Sequence, residues 1–203
     1  MLLELHPDNP EPRKVQQVVQ SLQNGGVIIY PTDTVYGIGC DIFQQKAVER
    51  VCQIRRLDPA KAMLSFLCKD IAQVAQYAWQ LDNDVFRLLK RNLPGPFTFI
   101  LRSNNMVPKL FKNRKHTIGV RIPGNPITLA LVEALGHPIF NASLKAENDE
   151  EEYLSDPTII FDLFGNQVDW VIDGGPGGQV PSTLVDCTVQ PYEIIREGAG
   201  VLH

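Results

Sequence analysis

Val27-Ile28-Ile29-Tyr30 is an uninterrupted apolar run, preceded by Gly25-Gly26 and followed by Pro31. Four residues between such breakers fit a strand better than a helix. A strand apolar at every position must be covered on both faces. This run therefore calls for helices on both sides of a sheet, and the flanking periodicity supplies them. Residues 11–24 carry Val15, Val18, Val19 and Leu22 at helical spacing, and Gly25-Gly26 ends that helix. Residues 44–56 repeat the pattern with Ala47, Val48, Val51, Cys52 and Ile54.

Alternation continues along the chain. Strands are expected at Met63–Cys68, Phe97–Leu101, Thr117–Ile122, Pro138–Asn141, Asp169–Ile172, Thr183–Asp186 and Glu193–Arg196. Helices are expected at Asp82–Arg91 and Pro126–Leu135, the latter with proline at its first turn. The polar, acidic stretch Lys145–Asp156 reads as a surface loop. The expectation is one α/β domain over residues 1–203, an open, twisted, mixed sheet flanked by helices.

Composition narrows the function. With 44% apolar and 21% charged residues the chain can bury an ordinary core. A net charge of −4 gives no global attraction to nucleic acid, so RNA contact would need a local basic patch. Cys40, Cys52, Cys68 and Cys187 have no zinc-type spacing and read as buried, reduced thiols. No apolar run approaches the roughly 18 residues that span a bilayer. The N-terminus lacks a signal-peptide pattern, so a cytoplasmic location is expected.

Four clusters can carry chemistry. Pro31-Thr32-Asp33-Thr34-Val35-Tyr36-Gly37 leaves the first long strand where open α/β sheets place ligands. Its hydroxyls and amides can bind an oxyanion, or Asp33 and Thr34 can simply cap a turn. Gly37 and Gly39 would allow close backbone approach. Arg55, Arg56 and Lys61 form a basic helix end, suited either to phosphate or to the helix dipole. Lys109, Lys112, Arg114, Lys115 and His116 form a basic loop around Phe111, either a solvated loop or an RNA patch in which Phe111 stacks on a base. Arg121, in an apolar strand, needs an anionic partner, an internal carboxylate or a ligand.

Late in the chain, Ser182 and Thr183 enter a strand and can line a pocket, and Arg196 and Glu197 can neutralise each other. His6, His116, His137 and His203 are scattered, with no triad, HExxH or P-loop pattern. A nucleotide enzyme of this kind would act by positioning and electrostatics rather than by a covalent intermediate.

Taken in order, Gly25-Gly26, the Pro31–Gly37 motif, the basic helix end, Pro94-Gly95-Pro96-Phe97-Thr98, Gly119-Val120-Arg121-Ile122-Pro123, Pro181-Ser182-Thr183-Leu184-Val185-Asp186 and Arg196-Glu197-Gly198 resemble the YrdC-like family over residues 14–200. The resemblance implies the YrdC/RibB-like fold with a positively charged concave surface. Its synthase members combine L-threonine, bicarbonate and Mg-ATP into threonylcarbamoyl-AMP for tRNA modification, and members are described as binding double-stranded RNA. Carried over, Thr32, Arg121 and Ser182 would meet threonine. Arg55, Lys61, Thr117, Ser143 and Arg196 would meet nucleotide or phosphate. Read from their own charge, Lys109, Lys112, Arg114 and Lys115 are the candidate RNA patch.

Departures from the synthase pattern are specific. The family's Lys-x-Arg reads Arg55 and Leu57, with Arg56 turned elsewhere if the helix continues. Its Ser-x-Asn reads Ser143 and Lys145, the proline after Lys61 is Ala62, and the pocket histidine position reads Phe66. One lost preorganised charge contact costs ~3 kcal/mol, about two orders of magnitude in rate. These features resemble the YciO-like branch more closely. The expectation is a nucleotide- or RNA-binding protein with weak or altered chemistry. The alternatives are a working synthase using ATP and Mg²⁺, or a scaffold with a vestigial cavity. Monomer and homodimer remain open.

Overall fold

A computed structural model describes residues 1–58, 64–145 and 153–203. Among the described residues ten strands form one mixed sheet: β1 (Leu2–Glu4), β2 (Val27–Tyr30), β3 (Gly37–Asp41), β4 (Ser65–Leu67), β5 (Phe97–Arg102), β6 (Thr117–Arg121), β7 (Ile139–Ser143), β8 (Trp170–Asp173), β9 (Thr183–Asp186) and β10 (Glu193–Arg196). Their spatial order is β1-β8-β2-β3-β7-β4-β6-β5-β9-β10. β2 lies between β8 and β3 and is buried at all four positions, as its unbroken apolar run requires.

Among the described residues six α-helices accompany the sheet: α1 (Pro12–Gln23), α2 (Gln45–Ile54), α3 (Ile71–Tyr77), α4 (Asn83–Asn92), α5 (Pro126–Leu135) and α6 (Pro157–Phe164). α2, α3, α4 and α6 build one large core against Ile29, Ile38, Phe66, Phe99, Val120 and Phe140. α1 and α5 build a second on the opposite face, over Ile28, Tyr30, Leu67, Ile139 and Ile172. Side chains alternate across a strand, so these lists identify the two faces. Among the described residues, the apolar cluster on the second face lies over β8, β2 and Leu67 and Ile139 of β4 and β7. Over β6, β5 and β9 that face carries Gly119, Arg121, Thr98, Ile100 and Leu184 instead of an apolar layer.

Several elements lack the expected sequence signal. β3 reads Gly-Ile-Gly-Cys-Asp, poor in β-formers, yet Gly37 and Gly39 are what the sheet demands there. A Cβ on Gly37 would lie 2.6 Å from Asn141 Oδ1. One on Gly39 would collide with the Phe140 carbonyl and lie 2.8 Å from the Tyr30 hydroxyl. α3 and α6 are held by side-chain caps, Asp70 accepting from Gln73 N–H and Asp156 from Thr158 N–H. α2 stops at Ile54. Arg56 sits at φ 51 and Leu57 N–H returns to the Cys52 carbonyl, so the helix does not continue through Arg56. The expected loop Lys145–Asp156 falls largely outside the described residues.

Candidate functional site: a cationic cavity on the open half of the sheet

Strand alternation sets the cavity floor. Ser65 on β4, Thr98 on β5, Arg121 on β6, Asn141 and Ser143 on β7, and Leu184 on β9 face the uncovered side. With Ser182 just before β9, they line a cavity of about 190 Å³. Arg55 and Leu57, from the end of α2, and Lys145, Tyr153 and Arg196 complete the described walls. Arg55, Arg121, Lys145 and Arg196 make four cations, and no carboxylate is among the described lining residues.

The floor is tied together internally. Tyr30 donates its hydroxyl to Asn141 Oδ1 at 2.8 Å, Asn141 Nδ2 donates to Ser65 Oγ at 3.2 Å, and Ser65 Oγ donates to the Asn141 carbonyl at 3.0 Å. Burial pushes the Tyr30 phenol well above its ordinary pKa, so it acts as a fixed donor. Thr98 Oγ1 and Ser182 Oγ are 2.8 Å apart. Arg196 donates to the Ser182 carbonyl through Nε at 3.2 Å and Nη2 at 2.8 Å, which draws it toward this floor rather than toward Glu197.

Arg121 is the most buried cation, 2% exposed. Its Nη2 donates to Asp33 Oδ1 at 2.7 Å and to Thr34 Oγ1 at 3.1 Å. Asp33 Oδ2 accepts from Gly124 N–H at 3.1 Å. The internal carboxylate is thus the partner this strand arginine requires. Among the described residues Arg121 Nε nevertheless has no acceptor, and neither does Arg55 Nε. Arg55 donates through Nη1 to the Lys145 carbonyl at 3.3 Å. Burial lowers the Arg55 pKa, partly offset by the Tyr153 phenol. Lys145 Nζ lies 5.3 Å from the centroid of the Tyr153 ring. The described lining thus combines four cations and two buried guanidinium N–H groups without described acceptors, with no described carboxylate.

The sequence-derived residues separate into groups. Arg55, Leu57, Ser143, Lys145, Arg121, Ser182 and Arg196 converge on the cavity. Lys61 and Ala62 lie outside the described residues. Thr32 does not line the cavity; its Oγ1 donates to the Val35 carbonyl at 2.7 Å and accepts from Thr34 N–H at 3.0 Å, building the turn that presents Asp33. Thr183 Oγ1 donates to the Gly200 carbonyl and accepts from Gly198 and Gly200, anchoring the C-terminal segment instead of lining a pocket. Thr117 lines an adjoining depression of about 680 Å³ with Trp79, Arg102, Lys115, His116 and Asp186. Both concavities use the same face of β5, β6 and β9.

The structure places Phe66 and corrects the expectation for Phe111. Phe66 points into the core, 5.6 Å from Tyr77 and 4.9 Å from Phe111 between ring centroids, so its neighbour Ser65 faces the cavity. Phe111 is 2% exposed and packs on Phe140 at 5.2 Å, which removes it from any base-stacking role. Lys109, Lys112, Arg114 and Lys115 are exposed around it. Ser65, Asn141 and Tyr153 are lining residues the sequence reading missed. Period-2 spacing within β4 and β7 was the available signal for the first two. Tyr153 carried none, because it reaches the wall through an isolated bridge with Lys145.

Among the described residues no cluster of three or more His, Cys, Asp or Glu is placed to hold a metal. The described cavity donors are cations, hydroxyls and amides, which do not ligate Mg²⁺ as a protein-borne set. No described helix is long and apolar enough to cross a membrane.

Comparison with known proteins places this geometry. The Sua5/YciO/YrdC family, described as "Telomere recombination", matches residues 20–198. Protein YciO of Escherichia coli (strain K12) is 44% identical over 197 residues, 97% of this chain and 94% of that protein. Its crystal structure superposes with TM-score 0.93 at 42% identity, covering 99% of this chain and 97% of the other. A threonylcarbamoyl-AMP synthase of Coxiella burnetii is 28% identical over 165 residues, 81% of this chain and 87% of that protein. Sua5 of P. abyssi, complexed with L-threonine, gives TM-score 0.89 at 26% identity, with 98% of this chain matching 57% of that longer chain. With its family match spanning most of its length and its open sheet superposing on YciO and Sua5, this chain belongs to the Sua5/YciO/YrdC family.

Proposed function

We propose that the chain binds a nucleotide, with its phosphates toward Arg55, Lys145 and Arg196, and that its chemistry differs from threonylcarbamoyl-AMP synthesis. The observation that carries this reading is the lining itself: four cations, no described carboxylate, and two buried guanidinium Nε atoms without described acceptors. The cavity alone, about 190 Å³, is smaller than pockets that enclose drug-sized ligands. Thr117 and Arg121 are four residues apart on one face of β6, or ~13 Å at 3.3 Å per residue. A phosphate chain over the cavity and a nucleoside in the adjoining depression would suit that span.

Altered chemistry follows from Leu57. It packs partly buried against the main core at the cavity wall and supplies no charge to a transferring phosphate. Thermal unfolding with ATP and AMP tests the binding reading. A ligand at 100 times its Kd stabilises by about 2.7 kcal/mol. A rise in Tm that Arg55→Ala abolishes is expected; no rise with either nucleotide sinks the proposal.

A second reading is threonylcarbamoyl-AMP synthesis in the cytoplasm. It is favoured by the 28%-identical synthase and by the Sua5 structure holding L-threonine. Purified protein with L-threonine, bicarbonate and Mg-ATP would then release pyrophosphate and threonylcarbamoyl-AMP. The proposed nucleotide-binding role expects no product above blank beside an active synthase control. The exposed Lys109, Lys112, Arg114 and Lys115 suit a double-stranded RNA contact, and Lys115 borders the depression next to the cavity.

A further inference from the structure

Two nitrogens of Arg121 are treated differently. Nη2 is engaged by Asp33 and Thr34, while Nε has no acceptor among the described residues. The ion pair is deep, with side-chain exposures of 3% for Arg121 and 12% for Asp33. Asp33 is itself fixed from outside the cavity by Gly124 N–H. The turn that presents it is pinned in turn: the Thr128 hydroxyl donates to the Pro31 carbonyl, and Gly178 N–H donates to the Thr34 carbonyl at 2.8 Å.

We propose that Asp33 is a specificity-determining counter-anion. It engages Arg121 through Nη2, leaves Nε without an acceptor among the described residues, and makes the floor electrostatically neutral. The floor then accepts a neutral or singly charged group, and multiply charged phosphate is directed to the Arg55, Lys145 and Arg196 side. This deepens, and rests on, the anion-binding reading of the cavity. The physical basis is the asymmetry of buried charge. A buried pair is tolerated, whereas a buried guanidinium stripped of its carboxylate is strongly unfavourable until another anion reaches it. An acceptor on Nε from a ligand would satisfy the donor that the protein leaves open.

The experiment compares wild type with Asp33→Asn, using inorganic pyrophosphate as the probe, by calorimetric titration and thermal unfolding. Asp33→Asn retains an acceptor for Arg121 but removes the charge. It should lower Tm without ligand, tighten pyrophosphate binding about tenfold, and enlarge the rise in Tm that pyrophosphate produces. Asp33→Glu, which keeps the charge, should show no tightening. Combining Asp33→Asn with Arg55→Ala should recover pyrophosphate binding that Arg55→Ala alone loses.

Wild type that binds pyrophosphate, with Asp33→Asn unchanged or weaker, overturns the role of Asp33 and leaves the anion site standing. No binding by either protein overturns both. Asp33→Ser, a smaller neutral residue, must shift affinity in the same direction as Asp33→Asn. Neutral variants that stay unfolded at saturating pyrophosphate also overturn the proposal, because the added anion then fails to replace the carboxylate.

Discussion

Thr98 Oγ1 and Ser182 Oγ face each other at 2.8 Å across the β5–β9 seam, directly under Arg196. One hydroxyl must donate to the other, and Arg196 Nη2 lies 3.4 Å from Ser182 Oγ. Both residues are buried, at 7% and 4% exposure, so this pair is a constructed polar floor rather than a solvated edge. Ser182→Val would leave Thr98 without this partner and place an apolar branch under Arg196. We expect a loss of about 1–3 kcal/mol in unfolding free energy by urea titration. Nucleotide affinity should fall as well, while Ser182→Thr retains most of both.

Removing the other half of the buried ion pair gives a larger effect. Arg121→Met strands Asp33 and should destabilise the fold by about 3–5 kcal/mol. The double variant Arg121→Met with Asp33→Asn should cost less than the two single losses added together, since the pair is removed as a unit. A double-mutant cycle in denaturant measures the coupling, and strict additivity would show that the two side chains do not interact.

Close packing makes a different demand at Gly39. Alanine there would push against the Phe140 carbonyl, which is backbone in the adjacent strand and cannot swing away. Overpacking of this kind costs typically ~1–3 kcal/mol. Gly39→Ala should therefore lower Tm clearly and also disturb the Tyr30–Asn141–Ser65 chain beneath the cavity. By contrast Gly136, the left-handed cap of α5 at φ 84, has nothing within 4 Å of an added Cβ, so alanine there costs only its backbone strain.

Asp41 supplies the pH dependence. Burial raises its pKa above the ordinary 3.8, opposed by the hydrogen bond from Phe43 N–H and by His137, whose Nε2 lies 3.5 Å away. A carboxyl raised on folding favours the folded state fully below its unfolded pKa. That contribution is lost as pH rises through the folded value. Asp41→Asn keeps an acceptor for Phe43 N–H and carries no charge to desolvate. Its stability relative to wild type should rise from about pH 4 toward neutrality, followed by chemical unfolding at stepped pH. A constant difference across that range would show that Asp41 does not titrate in the fold.

The basic loop makes a prediction in salt. Each phosphate neutralised adds about −0.9 to the slope of log K against log salt on duplex nucleic acid. If double-stranded RNA sits on Lys109, Lys112, Arg114 and Lys115, the Lys112→Glu, Arg114→Glu variant should flatten that slope by about 2 and weaken binding uniformly across sequences. RNA binding with an unchanged slope would move the contact elsewhere on the surface.

Leu57→Arg with Lys145→Asn tests the other departure. Both positions line the cavity, and Lys145 also leans on the Tyr153 ring. Restoring the synthase-like residues should raise threonylcarbamoyl-AMP formation if those charges alone limit the chemistry. Lack of any gain places the difference elsewhere in the site.

Most of the fold was legible because its elements carry strong periodic signals. The stripe Val15, Val18, Val19 and Leu22 is the buried face of α1, and strands β9 and β10 have the bounds their apolar runs suggested. β3 was not legible, since two of its five residues are glycines selected by cross-strand crowding. Nor was the local role of Thr32, whose hydroxyl makes a turn, or of Phe111, which packs into the core against Phe66 and Phe140. Such assignments depend on what lies across space.

The chain's own residues determine its family, its helix-flanked sheet and the turn that leaves β2 with Asp33 at its tip. Strand alternation also determines that Thr117, Gly119 and Arg121 share one face. Which half of that face the described helices cover was decided only by tertiary structure: α1 and α5 pack over β2 and β8, and over β5, β6 and β9 the described residues leave Gly119, Arg121, Thr98, Ile100 and Leu184. Tertiary structure also decided that Asp33, 88 positions away, engages Arg121 through Nη2 and leaves Nε without an acceptor among the described residues. A buried guanidinium demands an anion wherever it lies in the sequence, but only the folded sheet brings that particular carboxylate within reach.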